Sequence, residues 1–215
     1  MTENLFETQY NVTKKTKLRI FYEKNKILII GLISIFIISI GSFSFFLEKK
    51  ENRKIKISED YLQARIYLGD GLDAKAENLL KEIVFLNDPT YSAMSLFLII
   101  NKNLYEDRKD ILLLFDHLLS NNKFEKEIEN LIIYKKIMFS SNFVDESKLL
   151  EDVKPLLNRE TLWKPHALLL MGDYFKSKNE LIKAKEFYIK ILSVKNLQKD
   201  FYDQVNLRLA FINND

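Results

Sequence analysis

The sequence predicts an all-α protein: a single N-terminal transmembrane helix, then an α-solenoid of about four helical hairpins, then a C-terminal capping helix. Three observations carry this. Residues Ile27 to Leu47 form 21 consecutive positions without a charge. From Ile57 onward the only glycines are Gly69, Gly71 and Gly172, and the only prolines Pro89, Pro155 and Pro165. Small and apolar residues near the two ends of that region recur at matching spacing.

The uncharged stretch sets the organisation. As a helix it spans about 31 Å at about 1.5 Å per residue, enough to cross a hydrocarbon core about 30 Å thick. Ile, Leu and Phe run round every face, interrupted only by Gly31, Ser34, Ser39, Gly41, Ser42 and Ser44, whereas a soluble core helix keeps a polar stripe. The segment leaves through Phe43, Phe45 and Phe46 into Glu48, Lys49 and Lys50 with no small-residue cleavage pattern, so it reads as an uncleaved anchor. The expected organisation is a basic tail (1–26), a span (27–47), a charged linker (48–56) and one helical domain (57–215).

Charge leaves the orientation open. Lys14, Lys15, Lys17, Arg19, Lys24 and Lys26 precede the span, and Lys49, Lys50, Arg53, Lys54 and Lys56 follow it, six against five. These clusters suit anionic headgroups, at about 1 kcal/mol per basic residue near the surface. From Ile57 onward 22 Lys and Arg face 25 Asp and Glu, so the domain carries no nucleic-acid signature. Zero cysteines exclude a disulfide framework, thiolate zinc and thiol catalysis.

The 159 residues of the domain can bury a sizeable core. With so few turn residues a sheet-rich fold is disfavoured, because tight hairpins need Gly, Pro or Asn-Gly. The abundance of Asn, Lys and Ile reads as a compositional habit.

Near the C-terminus Leu168, Gly172, Phe175, Ala184 and Tyr188 fall at the spacing of a tetratricopeptide repeat. The spacing has a mechanical reason: Gly172 and Ala184 are small where two antiparallel helices cross, and Phe175 and Tyr188 fill the gaps beside them. Ala64, Tyr67, Ala76 and Leu80 hold corresponding positions near the start, with Gly71 in the turn. Ala76 and Ala184 lie 108 residues apart, three units of 36, so two further hairpins belong between. They are expected at Tyr91 to Asn101 with Asp107 to Leu119, and Phe124 to Phe139 with Asp145 to Leu157. Bulky or charged residues replace the small ones there. Lys136 stands where a packing Ala is expected, making that crossing wider or shifted. Asp88-Pro89 and the Pro155 region separate hairpins, and a helix from about Lys199 to Asn213 caps the stack.

This order of parts resembles the ancillary Sec-translocon subunit family of bacterial inner-membrane proteins (YfgM-like). The resemblance covers almost the whole chain. It rests on Tyr22 to Lys26, Tyr61-Leu62-Gln63-Ala64, Leu169-Leu170-Met171-Gly172-Asp173-Tyr174, Ala184-Lys185-Glu186-Phe187-Tyr188 and Leu207-Arg208-Leu209-Ala210. It implies a cytoplasmic N-terminus, a periplasmic domain, no catalysis, and partners among Sec translocon subunits, a periplasmic chaperone or emerging secreted chains. The alternative is a scaffold for a cell-envelope or division complex.

The repeat register places His166, Leu169, Asp173 and Lys176 on the inner face of one helix and Tyr61, Arg65 and Leu68 similarly on another, a candidate groove for a peptide or partner helix. An ordinary solvated face is the competing reading. His117 and His166 lie on different hairpins, short of the three or four converging ligands of a metal site, and His117 reads as helix packing. Asp70 to Asp73 lacks a calcium ligand ladder and reads as a turn. Trp163 reads as a packing anchor. No nucleophile elbow, phosphate loop or zinc-protease motif is present, so no catalytic residue, metal or cofactor is expected. Within the span no two small residues lie four apart; Ser34 and Gly41, seven apart, suit a different membrane protein as neighbour better than a second copy.

Overall fold

The structure is a computed structural model and describes residues 17–214. The tail before Lys17, including Lys14 and Lys15, lies outside the described residues. The chain divides into two compact units, Met1–Lys56 and Ile57–Asp215. Among the described residues there are nine helices and no strand.

Helix α1 is Lys17–Gly69, and its final segment, residues 57–69, belongs to the second unit. In the first unit the large apolar side chains of the span are exposed all round, Ile27, Phe36 and Phe45 among them. This is the one described helix long and apolar enough to cross a membrane. Just before the uncharged stretch the helix breaks at Asn25 (φ −114°, ψ 18°), whose side-chain amide donates to the Phe21 carbonyl at 3.1 Å.

The second unit continues with α2 (Asp73–Phe85), α3 (Tyr91–Asn101), α4 (Arg108–Asn121), α5 (Lys126–Ser140), α6 (Glu146–Leu157), α7 (Lys164–Ser177), α8 (Leu181–Leu192) and α9 (Lys199–Asn214). Aspartates start several of them. Asp107 and Asp145 accept from the backbone N–H of Lys109 and Lys148, each at 2.8 Å, meeting part of the need of a helix start for acceptors. Asp88 accepts from Tyr91 N–H at 2.8 Å, and Ser92, whose hydroxyl accepts from Asp88 N–H, donates to the Ile83 carbonyl, tying α3 to the end of α2.

Asparagine stops α2, α3 and α7, at Asn87, Asn103 and Asn179. Asn87, Asn103, Asn179 and Asn196 adopt left-handed backbone, as does Gly71. After Gly71, Asn103 and Asn179 the next N–H reaches back five residues (Leu72 to Tyr67, Leu104 to Ile99, Glu180 to Phe175) at 2.8–2.9 Å, which satisfies carbonyls that a helix end orphans. Gly71 and Asn179 are 108 residues apart. Asn tolerates this conformation better than other side-chain-bearing residues. Asn179→Ala is therefore expected to cost about 1 kcal/mol while Asn179→Gly is neutral or stabilising, read as opposite or unequal shifts in the denaturation midpoint.

Pro155 does not end α6, which runs two residues past it to Leu157. The proline forfeits only the bond to the Glu151 carbonyl, in the last turn and at exposed residues. Consecutive helices from α2 to α9 pack on one another, and α2 meets α4 and α5 meets α7. The most extensive packing is between α7 and α8. At the other end α2 packs more closely on α3 than on α1; Ser92, Ala93 and Ser95 are buried there, small residues that permit the approach. Two apolar cores result, one from Ile57 to Ile132 and one from Ile137 to Val205, and α5 contributes to both. Lys136, in place of a small residue, is half-buried and reaches Asp116 of α4 at 2.6 Å.

Candidate functional site

The repeat-packing residues converge at α7 and α8. Gly172, Phe175, Ala184 and Tyr188 are buried, and a methyl added at Gly172 would fall 2.6 Å from Cδ1 of Tyr188 and closer still to Cε1. The Tyr188 hydroxyl donates to Asp173 Oδ1 at 2.6 Å. From α9, Arg208 donates Nε to the same oxygen at 2.7 Å and Nη2 to Oδ2 at 3.1 Å. Burial, then the bond to Asp173, push the Tyr188 phenol up, so it stays a neutral donor. At the start of the second unit Ala64, Ala76 and Leu80 are buried, Tyr67 is half-buried with Lys75 Nζ 5.9 Å from its ring, and Gly71 makes the turn with φ 73°, but α1 and α2 meet far less than α7 and α8 do, so the close crossing expected of the first hairpin is not formed.

The inner-face residues are less uniform. His166, Leu169 and Asp173 line one cleft of about 370 Å³ with Tyr134, Gln204 and Phe201. Lys176 does not line it: its side chain turns to α9, with Nζ 5.5 Å from the Phe211 ring centroid. Tyr61 requires a correction, because it is 9 % exposed and belongs to the first core, its ring 5.7 Å from that of Tyr91. It lies three residues before buried Ala64, on the same helical face, so core packing claims it. Leu68 is half-buried against that core, and only Arg65 is exposed.

Helix α9 is the larger difference. Expected merely to cap the stack, it lays Phe201 4.7 Å from the His166 ring and Arg208 on Asp173, so the chain's own helix takes up part of the face reserved for a partner. Around His166 an aromatic wall forms: Trp163 at 5.0 Å and Tyr134 at 5.8 Å. Trp163 stacks on Tyr134 and donates its indole N–H to the Glu127 carbonyl at 3.0 Å, joining α7 to α5. His117 is held by Asn87 and Asn121 at 2.9 and 3.2 Å and packs on Phe85. Among the described residues no group of three or more His, Cys, Asp or Glu could hold a metal.

Burial pulls the His166 imidazole below its ordinary value, opposed by the bond to the Leu162 carbonyl. A histidine depressed in the folded state adds stability that is complete above its unfolded value of about 6.5 and is lost as pH falls through the lower folded one. Acidification from pH 7 to 5 is thus expected to lower the midpoint more in the wild type than in His166→Gln. An equal loss in both would show that the imidazole does not titrate against folding.

Compared with protein-family models, characterised proteins and solved structures, the chain matches none.

Proposed function

We propose that this protein is a membrane-tethered, non-catalytic interaction module, a stack of tetratricopeptide-like hairpins that binds another polypeptide. The observation that carries the reading is the repeat at 108 residues. Ala64 and Gly172, Ala76 and Ala184, Leu80 and Tyr188 are buried pair by pair, and Gly71 and Asn179 supply the same left-handed turn. Stacked hairpins of this kind present long surfaces to extended or helical segments.

The tether supplies the mechanism. A span at residues 27–47 confines a weak binding surface beside the bilayer and raises its effective concentration for anything bound or emerging there. On the resemblance to ancillary Sec-translocon subunits, we place the protein in a bacterial inner membrane with its tail cytoplasmic and its domain periplasmic, beside the protein-conducting channel.

Photo-crosslinking in cells from position 36 in the span and position 169 in the cleft tests this. Channel subunits at 36 together with secreted chains or a periplasmic chaperone at 169 are expected. A single folded division or cell-envelope protein at both positions would overturn the export role and leave a scaffold; no protein at either would overturn the binding role itself.

A further inference from the structure

Helix α3 contains no charged residue, from Tyr91 to Asn101. A helix apolar all round is ordinarily covered all round, yet α3 is fully buried on one side only, with Phe97, Leu98 and Ile100 packed partly against the same core. Ser92, Ala93, Ser95, Leu96 and Ile99 are buried, while Met94 is 42 % exposed and Phe97 and Ile100 are half-buried. Across from this partly covered side stands α5. Phe97, Ile100 and Asn101 of α3 and Leu131, Lys135, Met138 and Phe139 of α5 line a groove of about 300 Å³.

The groove is the middle of a longer strip. Met94 lies three residues before Phe97, and Ile128 three before Leu131, so each extends its row along the same helical face. Met94, Ile128 and Met138 are all exposed, and methionine adapts readily to varied apolar partners. One charge interrupts the strip. Lys135 is half-buried in the lining and makes no ion pair among the described residues, unlike its neighbour Lys136, which is matched by Asp116. An ammonium without a partner beside apolar side chains favours an opposite charge brought by whatever covers it.

We propose that this groove docks an apolar polypeptide segment of a partner protein that carries one acidic side chain. The carboxylate pairs with Lys135 while large apolar side chains enter between Phe97, Leu131 and Met138. Two rows of separate apolar side chains broken by a cation suit successive side chains of a peptide better than one acyl tail. The docking site rests on the binding role proposed above and adds to its cleft at position 169 a second surface on α3 and α5.

The test uses the full-length protein in its membrane, with a photo-crosslinker at position 138 and, as reference, at position 169. Products at 138 are expected to be protein segments rich in large apolar residues with an Asp or Glu within four positions of the crosslink. Lys135→Glu is expected to cut their yield at least tenfold, and replacing the acid of a trapped segment by Lys is expected to restore it. Lys135→Ala, which merely removes the charge, should lower the yield by a smaller factor. Lipid products at 138, a second copy of this chain, or a yield indifferent to Lys135→Glu would each overturn the docking site. Proteins captured at 169 but never at 138 would overturn it alone, and proteins captured at neither would sink the binding role with it.

Discussion

Gly172→Ala is expected to destabilise the helical unit by about 2 kcal/mol, the overpacking cost of about 3 kcal/mol less the roughly 1 kcal/mol that alanine gains in a helix. The added methyl would press on the Tyr188 ring, at 2.6 Å from Cδ1 and 3.0 Å from Cζ. Tyr188 has nowhere to retreat. It is fully buried, and its hydroxyl is fixed to Asp173, itself gripped by Arg208. Gly172→Val should cost more, since a second branch meets the same ring. Denaturant unfolding in detergent reads both, and the control is a double variant. In Gly172→Ala, adding Tyr188→Leu shortens the opposing side chain and should recover part of the loss, a non-additivity that marks direct contact. An unchanged midpoint in Gly172→Ala would mean that α7 and α8 do not meet at this residue.

Deleting residues 27–47 is expected to move the protein from the carbonate-resistant membrane fraction to the soluble fraction. The helical content of the second unit should be retained. A finer variant tests the same point without shortening the chain. Phe36→Arg with Ile40→Arg places two charges near the middle of the stretch, each unfavourable by about 3 kcal/mol at a helix centre against about 0.5 kcal/mol gained by each large apolar residue. That removes most of the net drive for insertion, and much of the protein should become extractable. Retention of either variant in the carbonate-washed membrane would show attachment by some other route.

Helix positions were legible because apolar periodicity is local. The segments expected at Tyr91 to Asn101 and Asp145 to Leu157 appear as Tyr91–Asn101 and Glu146–Leu157, with Asp145 as the cap just outside its helix. The Gly172 and Tyr188 contact was legible for a related reason, since two helices joined by a short turn leave few ways to cross. The asparagines were misread. Their abundance reads as composition, whereas Asn87, Asn103 and Asn179 do the work that glycine does at helix ends, and each sits two residues past the end of its helix. Pro155 lies inside the last turn of α6, where a proline removes only one bond, and the helix ends at Leu157 as expected.

The candidate groove was only partly legible. The inner-face register put His166, Leu169 and Asp173 together, and they line one cleft, but the same rule misplaced Tyr61. It also passed over Phe97, whose signal was an eleven-residue helix with no charge on any side, and over Leu131 and Met138, which line the same groove from α5.

The sequence by itself determined the helical class, the long apolar helix, the helix positions and the small-against-large contact at Gly172, because each follows from neighbours within a turn or a hairpin. Tertiary structure alone decided which apolar faces are covered and by what. Asp173 meets Arg208 across 35 residues and Trp163 meets the Glu127 carbonyl across 36, so α9 lies over α7 while Met94 of α3 stays exposed. Periodicity marks a face as apolar, but its neighbour is chosen by long-range packing, which no local pattern records.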